Sequence, residues 1–275
     1  MVLASTAAAH DFWLQPDTFT PEGGAILGVT AKVGHSDDIS EWPADPARII
    51  AFRSIGESGI EDIQAALGNR HSEGRFDVAT GEPGFYVLAI ESIPSVSELP
   101  AEKFNTYVTD EGVRPIAIHR MENGLTETSG REIYSRRAKS IIRVGDAGAA
   151  GDAHLLRPIG MTLEVTPLAN PALLEPGSGL PVEVRYRGSP LPGAMLHVVN
   201  LDPEIGDVDK VVTGADGRAV LSNLAEGRWM LQTVWSAPIS GDVRGDYDTI
   251  FSSLTFEVLG TAAEGESAAM PGVNN

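Results

Sequence analysis

The sequence contains no cysteine among its 275 residues. This absence excludes disulfide frameworks, thiol catalysis, iron–sulfur clusters and thiolate zinc sites. Any metal site in this chain must therefore use nitrogen and oxygen ligands from His, Asp, Glu or main-chain carbonyl groups.

Basic residues are also few, since 20 Lys and Arg stand against 38 Asp and Glu and give a formal charge of −18. A surface that binds nucleic acid or an anionic membrane needs a local basic patch, which this composition does not supply. We therefore expect no nucleic-acid partner. No stretch approaches the roughly 18 uninterrupted apolar residues of a membrane span, so no transmembrane segment is predicted.

Aromatic residues are scarce at 6%, whereas 30 Gly and 18 Pro indicate a chain with many turns. Short apolar runs between these turns predict strands, most clearly over residues 84–91. Seven such runs in about 100 residues of the second half are typical of a β-sandwich. Two segments have helical spacing instead: one follows Pro100 and ends near Gly112, and a weaker one covers residues 115–122.

A segment rich in Gly, Ala and Asp, residues 145–158, is interpreted as a linker. It separates an N-terminal β-rich domain over residues 10–150, which holds the short helices, from a second β-sandwich over residues 156–260. The small, polar tail 261–275 is predicted to be disordered. The predicted fold class is therefore mainly all-β, with two sandwich domains.

The first residues resemble the end of a secretory signal, because a run of small side chains stops at Ala9. Cleavage is expected between Ala9 and His10, which makes residues 1–9 a signal remnant without its charged start and apolar region. The alternative is an Ala-rich cytoplasmic terminus. We interpret the chain as exported.

His10 is the most informative candidate ligand. As the first residue of a mature chain, it would chelate a divalent ion through its α-amino and ring nitrogens. If Ala8 and Ala9 were retained, the histidine would stand third, and the resulting square-planar nitrogen set would suit Ni(II) or Cu(II). The alternative is that His10 only begins the first strand.

His35 lies beside Asp37 and Asp38 in a polar loop. An imidazole next to two carboxylates can hold a metal of intermediate hardness, although the same residues also suit a solvated turn. We predict that His10, His35, Asp37 and Asp38 form one N/O site at an end of a sandwich. Nickel or cobalt is the expected ion, copper and zinc are alternatives, and His71 and His154 are weaker candidate ligands.

A second group of interest is basic: Arg131, Arg136, Arg137, Lys139 and Arg143 lie close together in so acidic a chain. We expect them to pair with carboxylates, and an anionic ligand is the alternative. No nucleophile elbow, phosphate loop, dinucleotide fingerprint or His-Glu-x-x-His helix occurs. No catalytic residue is therefore assigned, and a binding protein rather than an enzyme is predicted.

Several segments together resemble one known family, the exported domain-of-unknown-function family 4198. They are AHDFWLQP at residues 9–16, VGH at 33–35, REIYSRRAKSIIRVG at 131–145 and GMTLEVTPLANP at 160–171. The likeness covers nearly the whole chain, and the turn ADGRA at 215–219 is similar to turns of transthyretin-like modules. The resemblance implies that the second domain is immunoglobulin- or transthyretin-like.

The resemblance also implies a periplasmic location and, from some relatives, an auxiliary part in nickel or cobalt uptake. Combined with the candidate ligands, it predicts a periplasmic protein that binds a metal ion or small metal complex and delivers it to a membrane uptake component. The alternative function is a non-catalytic adhesion or scaffold module that binds protein or glycan through its sandwich surfaces.

Overall fold

A computed structural model describes residues 11–34, 39–68, 71–148, 151–202 and 208–260, apart from the side chains of His71 and Val208. The four predicted metal ligands His10, His35, Asp37 and Asp38 lie outside these residues. So do the predicted signal remnant and the predicted disordered tail. These predictions therefore stay predictions.

Seventeen strands and two α-helices account for most of the described residues, which confirms the predicted all-β class. The first half contains β1 (Asp11–Pro16), β2 (Ile26–Gly34), β3 (Ser40–Glu41), β4 (Ile49–Gly56), β5 (Gly59–Asp62), β6 (Arg75–Ala79), β7 (Gly84–Ser92), β8 (Ser95–Leu99) and β9 (Gly130–Val144). The second half contains β10 (Leu163–Pro167), β11 (Ser178–Tyr186), β12 (Ser189–Pro190), β13 (Met195–Asn200), β14 (Val208–Val212), β15 (Arg218–Leu224), β16 (Gly227–Pro238) and β17 (Tyr247–Val258). The helices are α1 (Ala101–Asp110) and α2 (Arg114–Glu122), close to the two predicted segments.

One nine-stranded sheet forms the centre of the molecule, in the order β14-β13-β16-β17-β9-β7-β4-β5, with β8 also paired to β9. Strand β9 comes from the first half of the sequence and β17 from the second. They pair in parallel, from Tyr247 opposite Glu132 to Thr255 opposite Ser140. Strands of both sequence halves therefore share this sheet. The division into folding units near residue 150 stays a prediction.

Two small sheets cover the opposite faces of the central sheet. Along β9, Ala138 and Ile142 belong to the core under the first small sheet (β1, β2, β3 and β6), whereas Ile141 belongs to the core under the second (β10, β11, β12 and β15). Because neighbouring side chains of a strand point to opposite faces, this alternation gives a three-layered sandwich.

The helices share one face of the central sheet with the first small sheet. Phe104 and Val108 of α1 and Ile116 of α2 pack with Tyr247 and Phe251 of β17 in a third core. Helix α2 begins with Pro115 in its first turn and ends before Gly124, whose φ of 65° only glycine adopts readily. The two helices and the first small sheet therefore lie side by side on the same face of the central sheet.

Candidate functional site

The edge where β1 begins is the part of the fold that bears on the predicted metal site. Asp11, the first residue of β1, faces Gly34, the last residue of β2, and Val33 faces Ser40 of β3. In the chain His10 precedes Asp11, and His35 follows Gly34. The two candidate histidines are thus bonded to residues that are partners in the β1–β2 ladder.

Only the chain neighbours of the candidate histidines belong to the described residues, so the separation of His10 and His35 stays a prediction. In the sequence, Asp37 and Asp38 fall between the end of β2 at Gly34 and the start of β3 at Ser40. Asp11 adds a side chain that is only 7% exposed.

Arg136 lies close to this edge, in a shell of aromatic rings. Its guanidinium carbon is 4.8 Å from the ring centroid of Tyr134 and 5.8 Å from those of Phe12 and Trp42. A second cation, Arg48, lies 5.7 Å from the same indole ring of Trp42. These are cation–π distances, which orient a guanidinium without neutralising its charge.

The position of Arg136 follows from the period of its strand. Tyr134 packs with the core under the helices, and Ala138 packs with the core under the first small sheet. Arg136 stands between them on the same face of the central sheet. It therefore lies at the boundary between the first small sheet and the helices, which we call the seam. Burial lowers the pKa of Arg136 because it disfavours the positive charge. A hydrogen bond with the Tyr134 side chain opposes this shift, and the charge of Arg48 adds to it.

Arg136 differs from the other members of the basic cluster, which pair with carboxylates as expected. Their partners are Asp246 for Arg131 at 2.7 Å, Glu91 for Arg137 at 3.0 Å, Glu164 for Lys139 at 2.8 Å and Asp146 for Arg143 at 3.4 Å. Within the described ranges no carboxylate forms an ion pair with Arg136, and its buried Nε has no hydrogen-bond partner.

Beneath the helices a buried carboxyl group occupies the same face. Glu132 accepts a hydrogen bond from Thr249 at 2.5 Å and another from Ser97 at 3.4 Å. Burial raises its pKa to about 7, although these hydrogen bonds oppose the shift. The nearby phenol of Tyr107 is also buried, and burial raises its pKa well above the ordinary range. Sequence patterns did not single out this group.

Three further polar side chains meet where α1 ends over β13 and β16. The Nε2 of His197 lies 3.5 Å from the carboxylate of Glu111, and Gln232 donates to that carboxylate at 3.4 Å. The other described histidines have structural contacts. His119 packs edge-on to Tyr247, and the Nε2 of His154 lies 2.9 Å from the carbonyl oxygen of Phe85.

A cleft of about 760 Å³ lies between β4, β7 and the segment after β9. Its walls carry the carboxylates of Glu57, Glu61, Glu82 and Asp146 around Tyr86. Burial and the nearby Glu82 and Glu61 raise the pKa of the Tyr86 phenol. Across the described segments, no three His, Asp or Glu side chains are arranged to hold a metal ion.

Comparison with solved structures finds distant neighbours of low similarity. A tetra-tandem repeat from the extending region of a large adhesion protein is 12% identical with a TM-score of 0.23, and the match covers 90% of this chain and 50% of that one. Three N-terminal domains of the bacteriophage RB49 highly immunogenic outer capsid protein are 13% identical with a TM-score of 0.20, covering 90% and 59%. The D0–D1 domain of intimin is 10% identical with a TM-score of 0.21, covering 90% and 98%.

The chain thus spans about half the length of the first two structures, and likenesses at these TM-scores carry no conclusion about function. No curated protein matches the sequence. None of the helices in the described residues is long and apolar enough to cross a membrane.

A family model does match, over residues 7–237, and its description is "Domain of unknown function (DUF4198)". Since this match covers most of the sequence, the chain belongs to the DUF4198 family.

Proposed function

We propose that the protein is a periplasmic binding protein for a divalent transition-metal ion, nickel or cobalt, or a small complex of one. The observation that carries the proposal is the pairing of Asp11 with Gly34. Because His10 precedes Asp11 and His35 follows Gly34 in the chain, this pairing supports a site in which two imidazoles bind one ion.

The donor set at this edge suits a transition metal. Two imidazoles with the carboxylates of Asp37, Asp38 or Asp11 provide nitrogen and oxygen ligands of intermediate hardness, which match Ni(II) and Co(II). A site with ligands of this kind can exchange its ion. Exchange suits a protein that hands metal to a membrane uptake component, the role that the family resemblance implies.

The acidic character of the chain supports the same function in a weaker way. A formal charge of −18 attracts cations from solution, although this attraction is diffuse and is screened by salt. It raises the local concentration of a divalent ion without selecting one. The histidine ligands provide the selectivity for one divalent ion over another.

Calorimetric titration of the full chain with nickel chloride and with cobalt chloride tests the proposal. We expect one site per chain, weakened at least tenfold by His10→Ala and by His35→Ala. His119→Ala is the matched control, because His119 lies on α2 and packs against Tyr247. Equal affinity in all four proteins, or no binding above buffer, would overturn the proposal.

Processing of the terminus is tested separately. Terminal sequencing and elemental analysis of protein purified from its native periplasm give the first residue and any bound metal. If the chain begins at His10, we expect tighter nickel binding than in the full chain, because the α-amino group becomes a ligand. Glycan or protein binding that ignores metal removal, together with a metal-free native protein, would favour an adhesion module instead.

A further inference from the structure

The seam between the first small sheet and the helices contains a charge that the described structure leaves without a counter-ion. Arg136 is 7% exposed and lies against the rings of Phe12, Trp42 and Tyr134. The charge of Arg48 disfavours the charged form of Arg136 further. An unpaired buried cation costs free energy, which a ligand of opposite charge recovers.

We propose that Arg136, Arg48 and Trp42 form a binding site for the carboxylate group of a small organic molecule. The site uses none of the predicted metal ligands and does not require a metal. No member of the basic cluster other than Arg136 offers this chemistry, because the remaining four are already paired with carboxylates of the chain.

Two features of the seam favour a carboxylate over other ligands. A guanidinium presents a planar fork of N–H donors that matches the two oxygens of a carboxylate, and the buried Nε of Arg136 is a donor without an acceptor. The partly buried ring of Tyr134 provides apolar surface for the carbon part of the molecule. An inorganic anion would leave that surface unused.

Arg48 is the second positively charged side chain of the proposed site. Its side chain donates to the hydroxyl of Ser95 at 2.6 Å, which fixes the guanidinium beside Trp42. Two cations on one indole ring repel each other, and this repulsion is relieved when an anion binds both. The arrangement is therefore unfavourable when empty and favourable when occupied by a carboxylate.

Titration of metal-stripped full chain with sodium benzoate and with sodium succinate, followed by calorimetry, tests the site. We expect saturable binding that Arg136→Gln weakens at least tenfold and Arg48→Gln weakens several-fold. The matched control is Arg131→Gln, because Arg131 belongs to the same cluster but pairs with Asp246 at the surface. Binding unchanged by Arg136→Gln, or no binding of either carboxylate, would overturn the proposal.

Arg136 is buried, so thermal unfolding first establishes whether Arg136→Gln folds. If it does not, the Nε–H resonance of Arg136 in ¹⁵N-labelled wild-type protein replaces the variant. A saturable shift of that resonance with benzoate supports the site, and an unmoved resonance during saturable binding contradicts it.

Two further measurements distinguish an organic carboxylate from other possible occupants of the site. Sulfate that binds as tightly as benzoate would contradict the organic class. Asp37 and Asp38 stand a few residues before Trp42 in the sequence. The double variant D37N/D38N tests whether these carboxylates of the chain occupy the site. Benzoate binding that appears only in the double variant would overturn the proposal, whereas equal binding in both proteins supports it.

Discussion

The ammonium group of Lys139 lies 2.8 Å from a carboxylate oxygen of Glu164, and both side chains are buried, at 4% and 1% exposure. The pair joins β9 of the central sheet to β10 of the second small sheet. Glu164 also accepts hydrogen bonds from the backbone N–H groups of residues 159, 160 and 161. Both oxygens of the carboxylate therefore accept hydrogen bonds. Among these partners, only Lys139 carries the positive charge that balances the carboxylate.

Replacing Lys139 by methionine should destabilise the protein strongly. The variant leaves the Glu164 carboxylate buried without its cation, a change that typically costs about 3–5 kcal/mol. The free energy of unfolding from urea titration measures the effect. Arg143→Met is the control, because Arg143 pairs with the fully exposed Asp146 and its loss should cost under about 1 kcal/mol. Equal losses in the two variants would contradict the prediction.

Glu132 should make the stability of the protein depend on pH. Its pKa is raised from the ordinary 4.5 to about 7 in the folded state, so folding favours the protonated carboxyl group. The stabilisation is complete below pH 4.5 and is lost as pH rises to 7, by about 3 kcal/mol for a shift of this size. Chemical unfolding at intervals of half a pH unit measures it.

The variant Glu132→Gln isolates this contribution, since its amide does not titrate. Relative to wild type, it should gain about 3 kcal/mol between pH 4.5 and pH 7. Glu127→Gln is the control, because Glu127 is exposed in the loop after α2 and should leave the profile unchanged. A constant difference between wild type and Glu132→Gln across this range would show that Glu132 titrates normally.

Gly130 should be required for the helices to pack on the sheet. A β-carbon at this position would lie 2.2 Å from the ring of Phe104, which is fully buried in the third core. Gly130→Ala therefore forces the ring of α1 away from β9, and we expect a loss of about 1–3 kcal/mol or more. Gly148→Ala is the control, since nothing lies within 4 Å of its added carbon. Thermal unfolding compares the two.

Local patterns predicted the strands and helices well, because each depends on neighbouring residues. A run of β-forming residues between turns identified the strand at residues 84–91, and helical spacing behind Pro100 identified α1. The shared central sheet was not predicted. It depends on the parallel pairing of β9 with β17, which joins residues more than 100 positions apart and leaves no local signal.

The position of Arg136 shows why part of the site escaped prediction. In the sequence, alternation is clear only over residues 138–144, but β9 begins at Gly130 because β8 and β17 pair with its polar first half. Extending the alternation back by two residues would have placed Arg136 on the same face as Ala138. Its aromatic neighbours Phe12 and Trp42 come from distant segments, so only the fold brings them together.

The proposed metal site should bind nickel with a steep dependence on pH. An imidazole must lose its proton to coordinate a metal, so well below a pKa of about 6.5 each histidine ligand costs about tenfold in affinity per pH unit. For the full chain, two histidines predict about a sixtyfold loss between pH 6 and pH 5, and His35→Ala should reduce this to about eightfold. Calorimetric titration with nickel chloride measures both slopes, and His119→Ala should keep the steeper one. An affinity that barely changes with pH would show that carboxylates, and not His10 and His35, hold the ion.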